Sequence, residues 1–177
     1  MGDDTDASIV IDESGYLYVA SELERFTDRS HRVGQLVKLD PRHPRAPLVW
    51  SVPLRGVGRG GKAGSWSTPA VVRDMVYVAT NAGGVVAVDR RSGRVRWTLP
   101  LPGPTWGSPV VVDGVLIEGD CRGILRAFDV SGRRPRALWS IRLGGCIEST
   151  PAVWRGRIYV GTRGGAMYSL AGARARS

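Results

Sequence analysis

Short apolar runs separated by turn residues recur along the chain at a nearly constant spacing. Each cycle begins at a proline, and Pro69, Pro109 and Pro151 lie 40 and 42 residues apart. After each proline come a short apolar run, a two-residue turn, a second run, a glycine-bearing loop and a third run. The two-residue turns are Arg73-Asp74, Asp113-Gly114 and Arg155-Gly156. Because such turns between short apolar runs are typical of β-hairpins, the pattern predicts antiparallel strands.

The last run of each cycle alternates between an apolar and a mostly polar face. The apolar face repeats as Trp50, Val52 and Leu54, then Trp97, Leu99 and Leu101, then Trp139, Ile141 and Leu143. A period of two places these residues on one side of a strand, and the polar or proline-bearing other side suits a sheet edge. The inner runs lack this alternation, which indicates strands covered on both faces.

Four strands in 40–45 residues is the size of a propeller blade. We therefore expect an all-β fold, a β-propeller of four-stranded antiparallel blades with about four blades present. The whole chain, 1–177, is treated as one propeller region, with blades at approximately 4–55, 66–102, 106–144 and 147–173. The first blade has a longer middle loop, and the last blade lacks its outer strand.

The turn after the third strand carries a motif. Ala87-x-Asp89-x-x-Ser92-Gly93-Arg94-x-x-Trp97 resembles the tryptophan-docking motif of the pyrroloquinoline-quinone (PQQ)-type propeller repeat family. The third blade keeps Ala127, Asp129, Ser131, Gly132, Arg133 and Trp139, and the first keeps Asp40 and Trp50 but has Lys38 at the alanine position. The motif's chemistry is structural: the aspartates accept turn N–H groups, Gly93 and Gly132 supply a positive φ, and each Trp packs on the neighbouring blade.

The family includes both enzymes and scaffolds. Its quinoprotein dehydrogenases oxidise alcohols or sugars with PQQ and calcium, and they carry two adjacent cysteines at the cofactor. Here Cys121 and Cys146 are 25 residues apart, and Asp120 and Glu148 are the acids near the relevant loops. The resemblance therefore favours the non-enzymatic branch, which resembles the outer-membrane barrel-assembly lipoprotein, with no cofactor and with protein partners. A fragment of a PQQ-dependent dehydrogenase is the alternative.

Charge and composition add little to this assignment. The net charge is +9, but residues 1–30 carry −6, from eight acids and two arginines, and the remainder carries +15. A basic surface could bind nucleic acid. The arginines are scattered over every repeat and only Lys38 and Lys62 are lysines, which favours composition bias instead. The acidic start of the chain does not resemble a signal peptide, so none is expected. The sequence does not indicate a cellular compartment. The resemblance implies that the parent protein is periplasmic or extracellular if it follows the family. No metal site is expected, because the cysteines lack metal-ligand spacing.

A candidate site lies where strand-connecting loops meet at one end of the blades. Because strands alternate direction, the loop between the second and third strands shares an end with the connection into the next blade. That end collects Asn81, Arg122 and Arg163 from the loops and Trp66, Trp106 and Glu148 from the connections. These residues could hold a ligand or peptide, or the recurring Trp and Ser/Thr-Pro could simply start each inner strand, which we favour. A Cys121–Cys146 disulfide is possible at the same end.

Completion of the ring is the remaining question. Propellers close with about four to eight blades, and relatives with this motif usually have seven or eight. The missing blades could come from the rest of a longer chain, which we favour, or from a second copy that makes an eight-bladed ring. Closure as a small four-bladed ring is the third alternative.

Overall fold

The computed structural model describes residues 2–54 and 63–172. The first unit contains β1 (Val10–Ile11), β2 (Leu17–Ala20), β3 (Glu22–Leu23), α1 (Asp28–Val33), β4 (Leu36–Leu39), β5 (Leu48–Val52) and β6 (Ala63–Gly64). The second contains β7 (Ala70–Val72), β8 (Met75–Ala79), β9 (Gly84–Asp89) and β10 (Val95–Pro100). The third contains β11 (Val110–Val112), β12 (Val115–Gly119), β13 (Ile124–Asp129) and β14 (Arg136–Arg142). The fourth contains β15 (Ala152–Trp154), β16 (Arg157–Gly161) and β17 (Met167–Ala171).

Each unit is an antiparallel meander in chain order. Three sheets have four strands, β1-β2-β4-β5, β7-β8-β9-β10 and β11-β12-β13-β14, and the fourth has the three strands β15-β16-β17. The first turn residue of three hairpins, Arg73, Asp113 and Arg155, has φ between 47° and 52°. This left-handed backbone is what two-residue hairpin turns use. The prediction of a partial β-propeller with four-stranded blades is confirmed.

The middle loop of the first sheet has structure that the sequence pattern did not predict. Helix α1 begins after Thr27, whose hydroxyl accepts the N–H of Ser30, and ends at Gly34 with a φ of 75°. Strand β3 pairs with β6, which precedes the second sheet. Elements of two and six residues are too short to show a hydrophobic period, so periodicity could not have found them.

Three apolar clusters join consecutive sheets. Tyr18, Leu36 and Trp50 of the first sheet pack with Val76 and Val88 of the second. The clusters that follow pack Tyr77 and Leu101 against Leu116 and Phe128, and Ile117 and Leu143 against Val160. The second and third sheets are therefore covered on both faces, which explains why their inner strands lack a two-residue alternation.

A chain of hydrogen bonds also links the starts of the innermost strands. The N–H of Ser8 donates to the Thr68 hydroxyl at 3.0 Å, and the N–H of Thr68 donates to the Ser108 hydroxyl at 2.9 Å. The N–H of Ser108 in turn donates to the Thr150 hydroxyl at 3.4 Å. We call this series the hydroxyl belt. The recurring Ser/Thr-Pro thus joins neighbouring sheets, in addition to starting each strand.

The docking motif behaves as the resemblance implies in the second sheet and differently in the third. Asp89 accepts the N–H and O–H of Ser92 and the Nη2–H of Arg96, while Gly93 has a φ of 71°. The positive φ expected at Gly132 is wrong, since Gly132 does not adopt that conformation. The third sheet has two more residues before its Trp than the second, so its longer turn does not need a left-handed residue there.

The three docking tryptophans differ in burial. Trp50 is 9% exposed and its Nε1–H donates to the Arg90 carbonyl at 3.1 Å, whereas Trp97 is partly buried. Trp139 is 39% exposed, because it faces the three-stranded fourth sheet. The outward faces of the first and fourth sheets are also exposed, at Ile11 and Met167 among others. This disagrees with a closed four-bladed ring, in which both faces would be covered; the four sheets form an open arc.

Candidate functional site

One end of the arc gathers equivalent loops from all four sheets. In every sheet, the second residue after the second strand donates its N–H to the connection before the first strand. The pairs are Glu22 to Asp4, Asn81 to Gly64, Cys121 to Pro104 and Arg163 to Cys146, at 2.9–3.0 Å. We call this end the mouth: these four donor residues, the connections that they contact and their immediate neighbours. The structure thus brings the loops after the second strands into contact with the connections between sheets.

An aromatic pair occupies the connections into the second and third sheets. The Trp66 and Trp106 rings lie 5.0 Å apart at an interplanar angle of 45°, and the side-chain Oδ1 of Asn81 accepts the Trp66 N–H at 3.0 Å. The Asn81 Nδ2 and Trp106 Nε1 atoms are buried and have no hydrogen-bond partner within the described residues. Three of the six predicted site residues thus form one cluster, with polar hydrogens that are not used internally.

A second cluster lies at the connection between the third and fourth sheets. Cys121 and Cys146 form a disulfide, and the Glu148 carboxylate lies 3.8 Å from the Cys146 sulfur. Arg163 Nη1 pairs with the same carboxylate at 3.1 Å. Arg122 is exposed and takes no part in this ion pair as described; its N–H donates to the Asp120 carboxylate at 2.9 Å, and its carbonyl accepts from Arg142.

The sequence argument missed one acidic residue at the mouth. Glu22 is the equivalent of Asn81 in the first sheet and is 5% exposed. Burial, with the negative charges of Glu24 and Asp6, raises the pKa of Glu22 to about 7. Residues 1–30 contain eight acids, and matching Glu22 to the position of Asn81 in the repeat was the signal that could have identified it.

Two more carboxyl groups lie behind the mouth in the third sheet. Asp120 is buried and its carboxylate accepts from Arg126 Nη1 at 2.7 Å and from the Ile124 N–H. Glu118 is fully buried, burial raises its pKa, and its Oε2 has no hydrogen-bond partner among the residues described. The equivalent residue in the other sheets is Val19, Val78 or Val160. Glu118 is therefore a carboxyl group at a position that is valine in the other sheets, where burial favours its protonated form.

These clusters suit non-covalent recognition. In the described part of the chain, Cys121, Cys146 and Glu148 are the one group of three side chains with metal-ligand atoms close together, and its two sulfurs are bonded to each other. The mouth offers partly buried aromatic rings, the exposed arginines Arg122 and Arg163, and two separate acids, Glu22 and Glu148. Such a surface can bind a peptide or another protein by stacking and hydrogen bonding.

The mouth does not fit a calcium-bound quinone. The disulfide joins residues 25 positions apart instead of two adjacent cysteines. The acids near the disulfide are already engaged, Asp120 by Arg126 and Glu148 by Arg163. The third acid of the mouth, Glu22, has a raised pKa and therefore a weakened tendency to bind a cation as a carboxylate. No helix in the described residues is long and apolar enough to cross a membrane.

One protein family and several solved structures resemble this chain. The family model of the outer membrane protein assembly factor BamB matches residues 32–135, which is 104 of the 177 residues. No curated protein matches the chain in sequence.

Solved structures share the architecture. BamB from Moraxella catarrhalis is 23% identical, with a TM-score of 0.71 over 95% of this chain and 47% of that one. The computationally designed Ika4 protein is 10% identical, with a TM-score of 0.71 over 97% and 92% of the two chains. A quinohemoprotein alcohol dehydrogenase from Pseudomonas putida is 17% identical, with a TM-score of 0.66 over 91% and 28%. The chain thus spans about half the length of the Moraxella protein and little more than a quarter of the dehydrogenase.

Proposed function

Because the chain belongs to the family of the outer membrane protein assembly factor BamB, we propose that it is a non-catalytic β-propeller scaffold that binds a protein partner at the mouth. The observation that supports this most directly is the Trp66–Trp106 ring pair, whose two rings lie 5.0 Å apart and are only partly buried. Beside it, the Asn81 Nδ2 atom has no hydrogen-bond partner within the described structure. Aromatic side chains and unpaired donors are the features that protein-binding sites use.

The partner class and the setting follow from the family. We propose that the partner is a protein involved in outer-membrane protein assembly and that the parent protein is periplasmic or associated with the outer membrane. The arc is proposed to be part of a larger ring. Within the parent protein, the sequence favours a longer chain as the source of the remaining blades. Nucleic acid is not favoured, since the arginines are distributed over all repeats.

Site-specific photocrosslinking in the native host tests this proposal. A benzophenone amino acid replaces Arg122, which is exposed at the mouth, or Leu138, which is exposed on the perimeter strand β14. We expect defined crosslinks to an outer-membrane assembly protein from position 122 and none from position 138, read by mass spectrometry. Equal crosslinking from both positions would contradict a mouth-specific scaffold.

The alternative is a fragment of a PQQ-dependent dehydrogenase, which the Pseudomonas putida structure makes worth testing. Purified chain is titrated with PQQ and calcium, and dye-linked oxidation of alcohols and sugars is then assayed. We expect neither saturable binding nor turnover, for want of free acids and adjacent cysteines at the mouth. Saturable binding with turnover would replace the scaffold proposal by the enzyme.

A further inference from the structure

The outward face of the fourth sheet exposes large apolar side chains, one of them at a position that is core in every other sheet. Met167 opens the third strand of its sheet and corresponds by register to Leu36, Val85 and Leu125. Those three residues are 0% exposed, whereas Met167 is 81% exposed. Trp154, on the same face, is 64% exposed. The sequence therefore keeps large apolar side chains where only a further sheet would cover them.

The first sheet shows the complementary exposure. Ile11 corresponds by register to Val71, Val111 and Val153, and each of these valines packs in the cluster that joins its sheet to the preceding one. Ile11 is 66% exposed and its neighbour Ile9 is 57% exposed. The face that should receive a preceding sheet is thus apolar and open, and contiguous apolar faces of this kind mark interaction surfaces.

The hydroxyl belt gives the two ends a polarity. At every step the earlier sheet donates an N–H and the later sheet supplies the hydroxyl. Continuing the series past the fourth sheet requires a hydroxyl opposite the Thr150 N–H, and continuing it before the first sheet requires an N–H opposite the Ser8 hydroxyl. Thr150 and Ser8 are both exposed. Each end therefore supplies what the other end needs.

The charges of the ends are also complementary. Residues 1–30, which include most of the first sheet's inner strands, carry eight acids and two arginines, or −6. Residues 145–172, which contain the fourth sheet, carry Glu148 with Arg155, Arg157 and Arg163, or +2. Arg157 is exposed, and its equivalent Met75 lies in the cluster that faces the following sheet. Opposite net charges favour the approach of unlike ends and oppose that of two fourth sheets. This effect is long-range, since Asp12 and Glu13 of the first segment already pair with Arg90 of the second sheet.

From these observations we propose that the 177-residue chain, when it is present by itself, pairs head to tail with a second copy. The fourth sheet of each copy packs against the first sheet of the other and closes a ring of eight sheets. This interface would extend the face-to-face packing that already joins the sheets within one chain. A twofold ring uses the same contact twice, so no end remains open. The proposal is independent of the scaffold function, which a monomer could also perform.

Light scattering on the purified protein measures its oligomeric state directly. One chain has a mass of 19.1 kDa, so we expect about 38 kDa, twice that value, persisting on dilution. Ile11→Lys on the first sheet and Trp154→Glu on the fourth are each expected to raise the dissociation constant about 30-fold or more. Both residues are exposed in the single chain, so each variant should keep the wild-type circular dichroism spectrum and cooperative unfolding.

Mixing the two variants separates a head-to-tail ring from other dimers. An Ile11→Lys chain and a Trp154→Glu chain can form one interface with the Lys and Glu together and one wild-type interface. Ile11 corresponds to Val111 in the third sheet, and Trp154 corresponds to Val72 in the second sheet. Because Val72 and Val111 belong to one apolar cluster, the new Lys and Glu side chains should lie close together. We expect the equimolar mixture to recover the dimer mass, while each variant alone runs as a monomer.

Leu138→Lys is the matched control, since Leu138 is 42% exposed on the perimeter strand β14 and belongs to neither end face. It should leave the dimer intact. A wild-type monomer, an oligomer of another size, equal disruption by Leu138→Lys, or a mixture that stays monomeric would each overturn the proposal.

Discussion

Gly93 shows how one residue serves its own turn and its neighbour's core. A Cβ at Gly93 would lie 2.7 Å from the Cγ atom of Trp50, which belongs to the preceding sheet. The motif predicts the positive φ at this glycine, but a contact between blades is not visible in a single repeat. At Gly132 the same motif led to a wrong expectation, because loop length, and not residue type alone, decides the turn.

Replacing Gly93 by alanine should therefore destabilise the protein for two reasons. The φ of 71° costs about 1 kcal/mol for a residue with a Cβ, and displacement of Trp50 should add about 1–3 kcal/mol. Gly156→Ala is the matched control, since its φ is 73° and nothing lies within 4 Å of the new Cβ. Urea unfolding should show the larger loss for Gly93→Ala; equal losses would contradict the packing argument.

Glu22 makes stability depend on pH. Its pKa is raised from 4.5 to about 7 in the folded state by burial and nearby acids. A raised carboxyl pKa stabilises the fold below pH 4.5, and this contribution is lost as pH rises through about 7. Glu22→Gln should thus be more stable than the wild type at pH 8, by about 1–3 kcal/mol, with a smaller difference at pH 5. A difference that does not change with pH would contradict this assignment.

The outer strands act as connectors between neighbouring sheets. Their alternating Trp and aliphatic residues predicted one buried face, and the structure places that face against the next sheet in the first two cases. The pattern could not reveal how complete each receiving surface is. Trp50 meets a full four-stranded sheet, whereas Trp139 meets three strands and stays partly exposed.

Alanine substitution should expose this difference. Trp50→Ala removes a buried ring and its hydrogen bond to Arg90, with an expected loss of about 3–5 kcal/mol. Trp139→Ala should cost about 2 kcal/mol or less, because 39% of the residue is already exposed and less area leaves contact with water on folding. Chemical denaturation of both variants measures the ranking, and a larger loss for Trp139→Ala would refute it.

The Cys121–Cys146 disulfide ties the third sheet to the connection into the fourth. It joins residues that are 25 positions apart in sequence, which corresponds to a stabilisation of about 3.5 kcal/mol in the chain-entropy model. We expect the oxidised protein to resist alkylation and to lose about this much stability in Cys146→Ser. The Cys121→Ser/Cys146→Ser double variant should lose no more than the single one. Two freely alkylated thiols without reductant would contradict the disulfide.

At the scale of the whole molecule, the arc has a gradient of protection. Stacked repeats contact mainly their neighbours, so a terminal unit has half the support of an inner one. Repeat period, strand count and turn chemistry predicted the stacked sheets from sequence. The helix in the first sheet and the buried acid Glu118 were not predicted, since each departs from the repeat, and a repeat argument reveals only what recurs. The place of Glu22 follows from the repeat, but its burial and raised pKa depend on neighbours that do not recur.

Hydrogen exchange should follow this gradient in the single chain. Backbone amides of β16 in the fourth sheet should exchange faster than those of β8 in the second sheet, because the apolar residues of β8 are more buried. Exchange on the monomeric Trp154→Glu variant, read by mass spectrometry, tests this without interference from a partner. Uniform protection of both strands would show that the arc unfolds as one unit.

The hydroxyl belt also bears on how such a protein changes in evolution. Each unit brings one hydroxyl and one amide, arranged so that the joint before it and the joint after it are chemically alike. Duplication or deletion of a whole unit therefore leaves every internal joint matched, wherever along the gene it occurs. Only the two outermost units must adapt to a new number of units, so unit count can drift more easily than the design of the unit itself.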